Sequence, residues 1–186
     1  MSGVQRVAIV GAESSGKSTL AEALAARYGT VWVPEYLREF VDTEGRVPRE
    51  SDQFAIARTQ RAREDAAAAR AARFLFCDTI PLMTAVYSMQ YWQRVDAELA
   101  ALVQRHDYAF TLVAAPDSPW EADGLQRESE AVRQQVHATL MATLAARAIP
   151  FTVVTGALAS RILQVEALIN TSSASSGKPN QTDDKR

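Results

Sequence analysis

The stretch Val7-Ala8-Ile9-Val10-Gly11-Ala12-Glu13-Ser14-Ser15-Gly16-Lys17-Ser18-Thr19 decides how this chain is read. Its first four residues form an unbroken apolar run, as required of a strand covered on both faces in a parallel sheet. Gly11 to Ser18 then fits G-x-x-x-x-G-K-[ST] at every fixed position. Beyond it, Leu20, Leu24 and Tyr28 recur at four-residue spacing, with Ala21 and Ala25 beside them, and mark one face of a helix. Glycines let successive N–H groups turn inward on an anion, and the helix N-terminus adds partial positive charge. The residues Gly11, Ala12, Glu13, Ser14, Ser15, Gly16, Lys17, Ser18 and Thr19 are therefore expected to cradle the phosphates of ATP. Lys17 should reach the β- and γ-phosphates, and the Ser18 hydroxyl should coordinate Mg²⁺. Glu13, at a variable position of the motif, reads as a solvated loop residue.

Outward from this loop the same alternation continues. Val31-Trp32-Val33 is a second strand stopped by Pro34, and Asp42 to Arg49, with Gly45 and Pro48, reads as an exposed loop. The Ala- and Arg-rich run from Ser51 to Ala72 predicts a helix, with Ser51 as its N-cap. Phe74-Leu75-Phe76-Cys77 is a third buried strand ending at Asp78-Thr79. A long helix is expected from Pro81 to Arg105, then a strand over Tyr108 to Ala114. A helix striped by Val132, Val136, Leu140 and Leu144 follows, then a strand over Phe151 to Thr155 and a last helix from Leu158 to Ile169. Strands alternating with helices predict an α/β fold, a parallel sheet in three layers with right-handed connections. One catalytic domain should span residues 1–170. The segment 171–186 carries almost no apolar residue and is expected to be a disordered tail.

Composition narrows the function. Twenty Lys and Arg against 22 Asp and Glu give a formal charge of −2, so there is no global basic field for nucleic acid. No run approaches the ~20 apolar residues that span a bilayer, so no membrane partner is expected and the location is read as cytoplasmic. The single cysteine, Cys77, excludes an intrachain disulfide and a thiolate zinc cluster and reads as a buried strand residue. His106 and His137 have no partners at metal-ligand spacing.

Phosphoryl transfer also needs a group that orients or deprotonates the attacking hydroxyl, and in open α/β sheets such groups lie beyond the carboxyl ends of strands. Glu35 follows the second strand and Asp78 ends the third, so both should face the crevice above the glycine loop. The apolar strand leading to Asp78 is a Walker-B arrangement, its carboxylate holding Mg²⁺ directly or through water. Glu35 is either the base or the ion-pair partner of Arg38 one turn on. Residues 116–129, polar and carrying Gly124, read as a lid whose Arg127 or Arg133 would meet the transferring phosphoryl group. Met83, Tyr87 and Tyr91 at helical spacing either line a base pocket or belong to the core.

Together Gly11 to Thr19, Pro34-Glu-Tyr-Leu-Arg-Glu39, Phe76-Cys-Asp-Thr79 and Trp120-Glu-Ala-Asp-Gly-Leu125 resemble the ribosylnicotinamide kinase domains of the NadR type, P-loop proteins of an AAA group. The resemblance runs from about Arg6 to Ile169. It implies ATP-dependent phosphorylation of the 5′-hydroxyl of nicotinamide riboside, a small nucleoside-like substrate, with strand order 2-3-1-4-5. It implies acceptor contacts from Glu35, Tyr36, Arg38, Asp78 and Trp120. Where the family reads Asp-Gly-Leu-Arg, this sequence has Gln126 and places Arg127 one position later. The chain has no H-x-G-H motif, so adenylyl transfer is not expected of it. Two other readings stand beside this one: a nucleotide-binding regulatory switch, and a different nucleoside or nucleotide kinase of the same architecture.

Overall fold

The apolar run before the glycine loop becomes the last four residues of strand β1 (Gln5–Val10), buried because helices cover both faces of the sheet there. In the computed structural model, which describes residues 3–119 and 129–175, β1 is the middle of a five-stranded parallel sheet. The others are β2 (Trp32–Val33), β3 (Phe74–Asp78), β4 (Phe110–Ala114) and β5 (Thr152–Val154), in the order β2-β3-β1-β4-β5. This is the three-layer architecture and the strand order expected. β1 pairs Val7 with Phe76 on one side and with Phe110 on the other.

Alternation along the strands sorts the core into two layers. Val7 and Ile9 of β1, Phe74 and Phe76 of β3 and Leu112 of β4 face α1 (Lys17–Arg27) and α7 (Leu158–Ser175), packing on Leu20, Leu24 and Ile169. Ala8, Val10, Leu75, Cys77 and Val113 face the opposite layer. That layer is built from α3 (Gln53–Ala68), α4 (Pro81–Trp92), α5 (Ala97–Gln104) and α6 (Glu130–Ala146). Cys77 is fully buried, as expected.

Several element boundaries differ from the sequence-based expectation. The helix expected from Pro81 to Arg105 is two helices: Gln93 takes a left-handed conformation (φ 54°) that ends α4, and Asp96 starts α5 by accepting hydrogen bonds from the Glu98 and Leu99 N–H groups. A helix precedes the exposed loop, α2 (Tyr36–Glu44), so the loop begins at Gly45, which caps α2 with φ 64°. Leu37, Phe40 and Val41 carry its apolar stripe, of which only Val41 is buried, and the stripe is one turn long. Ser51 is not the cap of α3; a 3₁₀ turn at Glu50–Asp52 leads into it. The last helix continues past Ile169 to Ser175, inside the segment expected to be a tail. Trp120 and Arg127, and most of the segment read as a lid, lie outside the described residues. Among the described residues no helix is long and apolar enough to cross a membrane.

At the amino ends of the central strands, opposite the glycine loop, lies a buried ionic cluster. The carboxyl of Glu64 on α3 is fully buried, accepts a 2.6 Å hydrogen bond from the Tyr108 hydroxyl, and has Arg6 and Arg61 at 3.8 and 4.0 Å. Arg61 makes a two-point contact to Asp107 at 2.5 and 2.7 Å, which holds the Asp107 carboxyl down at about 2. Burial outweighs these cations at Glu64 and pushes its carboxyl up to about 7. The folded chain therefore prefers Glu64 protonated, and its contribution to stability is complete below about pH 4.5 and lost as pH rises through about 7. Glu64→Gln keeps an acceptor for Tyr108 and removes the titration. Urea unfolding should show the variant losing a pH dependence on the order of 1 kcal/mol per pH unit in that window, and gaining relative to wild type at pH 8.

Candidate functional site

The cleft forms at the carboxyl ends of β1, β3 and β4, where each strand leaves the sheet. Gly11 exits β1 against β4: a Cβ there would stand 2.8 Å from both the Ala114 carbonyl oxygen and the Ser15 Oγ, at a φ of 156°. Gly16, at φ 79° and ψ 22°, is the residue from which α1 starts. Between them, the Ala12 carbonyl accepts hydrogen bonds from Ser15 Oγ at 2.8 Å and from Lys17 Nζ at 2.9 Å. Lys17 is 9% exposed, its ammonium folded onto the inner rim of the loop. Glu13 is half-buried rather than solvated, with both carboxylate oxygens shielded from water.

Asp78 is 1% exposed at the end of β3, and its Oδ2 accepts a 2.6 Å hydrogen bond from Ser18 Oγ in the first turn of α1. Thr79 follows with φ 57°, a left-handed conformation uncommon for a β-branched residue, and so turns the chain sharply at the cleft. Glu35, the residue before α2, stands opposite, close enough to feel Lys17, Asp78 and Arg38 and bonded to Thr79. Its carboxyl is raised above the usual range, first because it is desolvated and then because Asp78 repels its charge; Lys17, Arg38 and the Thr79 hydrogen bond oppose the rise. Lys17, Ser18, Asp78 and Glu35 are thus brought together from three places in the sequence.

Other residues picked from the sequence stand differently. Arg38 is exposed, its charge acting on Glu35 from the outside. The ring of Tyr36 carries the Arg63 guanidinium at 4.5 Å, and its N–H donates to Gln60 Oε1 at 2.8 Å. Arg133, 1% exposed on α6, donates to the Ser118 carbonyl at 2.7 Å and lies 3.4 Å from Glu130. The stripe on α4 divides: Met83 is core, whereas Tyr87 and Tyr91 stack at 6.2 Å and line a cavity of about 660 Å³ that opens beside Glu35 and Thr79. Trp92 and Ile56 complete its apolar walls.

Sequence reasoning missed Gln60, Asp117, Ser118 and Arg161. Gln60 is 3% exposed and also donates to the Asp78 carbonyl at 3.3 Å, so it ties the start of α2 to the end of β3. A signal for it existed: Gln53, Ala57, Gln60, Glu64 and Ala67 recur at three- and four-residue spacing, and polar residues on a core stripe need buried partners. For Arg161 and Ser118 no local pattern points to the glycine loop that they touch, nor for Asp117 to Arg161 and the turn at Gly156.

Fold and site together define a P-loop domain with the architecture of nucleoside and nucleotide kinases. The AAA domain family matches residues 6–161, and the chain belongs to that family. The trifunctional NAD biosynthesis/regulator protein NadR of Salmonella typhimurium is 30% identical over 144 residues, covering 74% of this chain and 35% of the relative. The chain thus spans about a third of the length of that relative. A crystal structure of NadR protein in complex with NR superposes with a TM-score of 0.75 at 21% identity, covering 90% of this chain and 51% of that one. A thymidylate kinase from Candida albicans superposes with a TM-score of 0.68 at 14% identity, over 92% and 93%.

The close approach at Gly11 gives a direct test. Gly11→Ala puts a methyl group against the Ala114 carbonyl, a backbone atom of β4 where that strand is paired with β5. It should cost about 1–3 kcal/mol, read as a lowered urea midpoint with an unchanged slope.

Proposed function

We propose that this protein is an ATP-dependent small-molecule kinase that transfers the γ-phosphoryl group to the 5′-hydroxyl of nicotinamide riboside, giving nicotinamide mononucleotide. One observation carries the reading. The cavity beside Glu35 is walled by aromatic and aliphatic side chains, and none of the described residues lining it is a lysine or arginine. A nucleotide acceptor would bring a phosphate that needs a cationic clamp; a nucleoside brings none. Stacked tyrosines beside a carboxylate suit a flat ring, and a pyridinium ring above all, since aromatic faces and a nearby anion both attract its charge. The likeness to NadR, whose structure holds NR, supports the same acceptor.

In this reading Lys17 releases the Ala12 carbonyl and turns to the β- and γ-phosphates. The Ser18 hydroxyl and the Asp78 carboxylate, 2.6 Å apart, are a pair of hard oxygen donors that fits Mg²⁺, which favours one or two protein oxygens with phosphate and water completing its shell. When bound there, the ion would neutralise charge on the phosphates. With Asp78 so occupied, Glu35 is left to take the proton of the attacking hydroxyl. A base whose carboxyl lies above its usual range is better matched to neutral pH than an ordinary carboxylate. Most of the acceleration comes from alignment and electrostatics at a site closed by apolar walls.

A panel of nucleosides scored by ADP release, with Lys17→Ala as the blank, tests the assignment. Nicotinamide riboside should stimulate turnover and Lys17→Ala should abolish it. Stimulation by a different nucleoside alone would reassign the acceptor, and nucleotide binding without any stimulation would favour a regulatory switch. Glu35→Gln should lower kcat by roughly 10²–10⁴-fold with nucleotide binding retained. Because Glu35 must be ionised to act, wild-type kcat should rise with pH through a limb above the usual carboxylate range, and that limb should be absent from the residual activity of the variant.

A further inference from the structure

Arg161 lies on α7, outside every motif of the chain, and its side chain is 4% exposed. Its guanidinium is spent on the three loops that form the floor of the cleft. Nη1 donates to the Ser15 carbonyl of the glycine loop at 2.5 Å. Nη2 donates to the Ala115 carbonyl at the end of β4 at 3.1 Å and to Asp117 Oδ1 at 2.5 Å. Nε donates to the carbonyl of Gly156, in the turn after β5, at 2.8 Å. The Gly156 N–H in turn donates to Asp117 Oδ2 at 2.6 Å, so that turn is clamped from both sides.

A trans peptide is planar, with its C=O and N–H pointing in opposite directions. Holding the Ser15 carbonyl from behind therefore commits the Gly16 N–H to the front, the concave side of the loop. The preceding peptide is held in the same way, since Ser118 Oγ donates to the Ser14 carbonyl at 2.9 Å and so commits the Ser15 N–H. Two successive amides facing one concavity make an anion nest, and here their orientation is set from outside the motif. The carbonyls that converge at Ser15, Ala115 and Gly156 each find a donor on this one guanidinium, whose charge is balanced by Asp117. Only a planar fork with five donors reaches all three carbonyls and the carboxylate at once, so lysine is a poor substitute.

We propose that Arg161 is a positioning residue for nucleotide binding, which orders the Ser15–Gly16 peptide with its amide toward the phosphates before the nucleotide arrives. The proposal rests on the reading of Gly11 to Thr19 as a nucleotide site. Its benefit is preorganisation: the loop loses little conformational freedom on binding, because that cost has been met in folding.

Titration with a fluorescent methylanthraniloyl ATP is the test, applied to wild type, Arg161→Lys, Arg161→Met and Arg27→Ala. Arg27 pairs with Glu166 between α1 and α7 far from the loop, and its replacement loosens the seating of α7 without touching the nest. Arg161→Lys should weaken nucleotide binding about tenfold and Arg161→Met more, the loss of one to two charged hydrogen bonds, while the acceptor KM measured at saturating ATP stays within about twofold. Arg27→Ala should bind as wild type does. Folded Arg161 variants that bind within about twofold of wild type would overturn the proposal, as would an equal loss in Arg27→Ala, which would assign the effect to the helix in general. Should Arg161→Met fail to fold, Arg161→Lys decides the matter. A wild-type protein that binds no nucleotide would instead reject the underlying reading of the loop.

Discussion

A peptide unit cannot turn its N–H to one side without turning its C=O to the other, and the whole cleft is organised around that constraint. A loop can gather several amides around an anion only if the matching carbonyls find donors behind it. Here those donors are Ser118 behind Ser14 and Arg161 behind Ser15, while Ala12 turns its carbonyl to Ser15 Oγ and Lys17. The sheet makes this possible. β1 lies between β3 and β4, so its exit is flanked by Asp78 on one side and by the Ala115–Ser118 segment on the other. The glycine loop is thus the meeting point of neighbouring strand ends, and its shape is a property of the sheet as much as of its own sequence.

The cavity beside Glu35 is built on a different principle. Its walls come from α3 and α4, which turn one face to the core and leave part of the other open as a cavity of about 660 Å³. The polar groups at its floor are few and anchored. Gln60 joins the Tyr36 amide to the Asp78 carbonyl, fixing α2 relative to β3 and with it the position of Glu35. Because the surroundings are largely apolar, the charges of Lys17 and Asp78 are felt strongly at Glu35, and desolvation is the leading influence on its carboxyl. The glycine loop and the cavity therefore meet at four side chains, Lys17, Ser18, Asp78 and Glu35, at one end of the sheet.

How much of this was legible depends on whether a feature has a local cause. The strands around Val7–Val10 and Phe74–Cys77 were readable because burial on two faces demands unbroken apolar runs. α2 was not, since its apolar stripe of Leu37, Phe40 and Val41 spans a single turn in an otherwise polar segment. The break between α4 and α5 turns on Asp96 capping two amides and on a left-handed Gln93, a small signal within a sequence otherwise suited to helix. On α4 the three-residue stripe could not say which of its members faced the core and which faced a cavity, because a helix face covers more than one environment. Gln60 and Glu64 sit on a stripe that was visible, yet their partners Tyr36, Asp78 and Tyr108 are 24, 18 and 44 positions away.

By itself the sequence determined the glycine loop, the lysine and serine at the head of α1, and the carboxylates placed at strand ends. Each depends on steric freedom, helix polarity or burial over a few neighbouring residues. Tertiary structure alone decided which distant groups complete them. Arg161 meets Ser15 across 146 positions and Asp117 across 44, and no local pattern encodes a hydrogen bond whose two ends are brought together only when the sheet closes its ranks and α7 docks against α1.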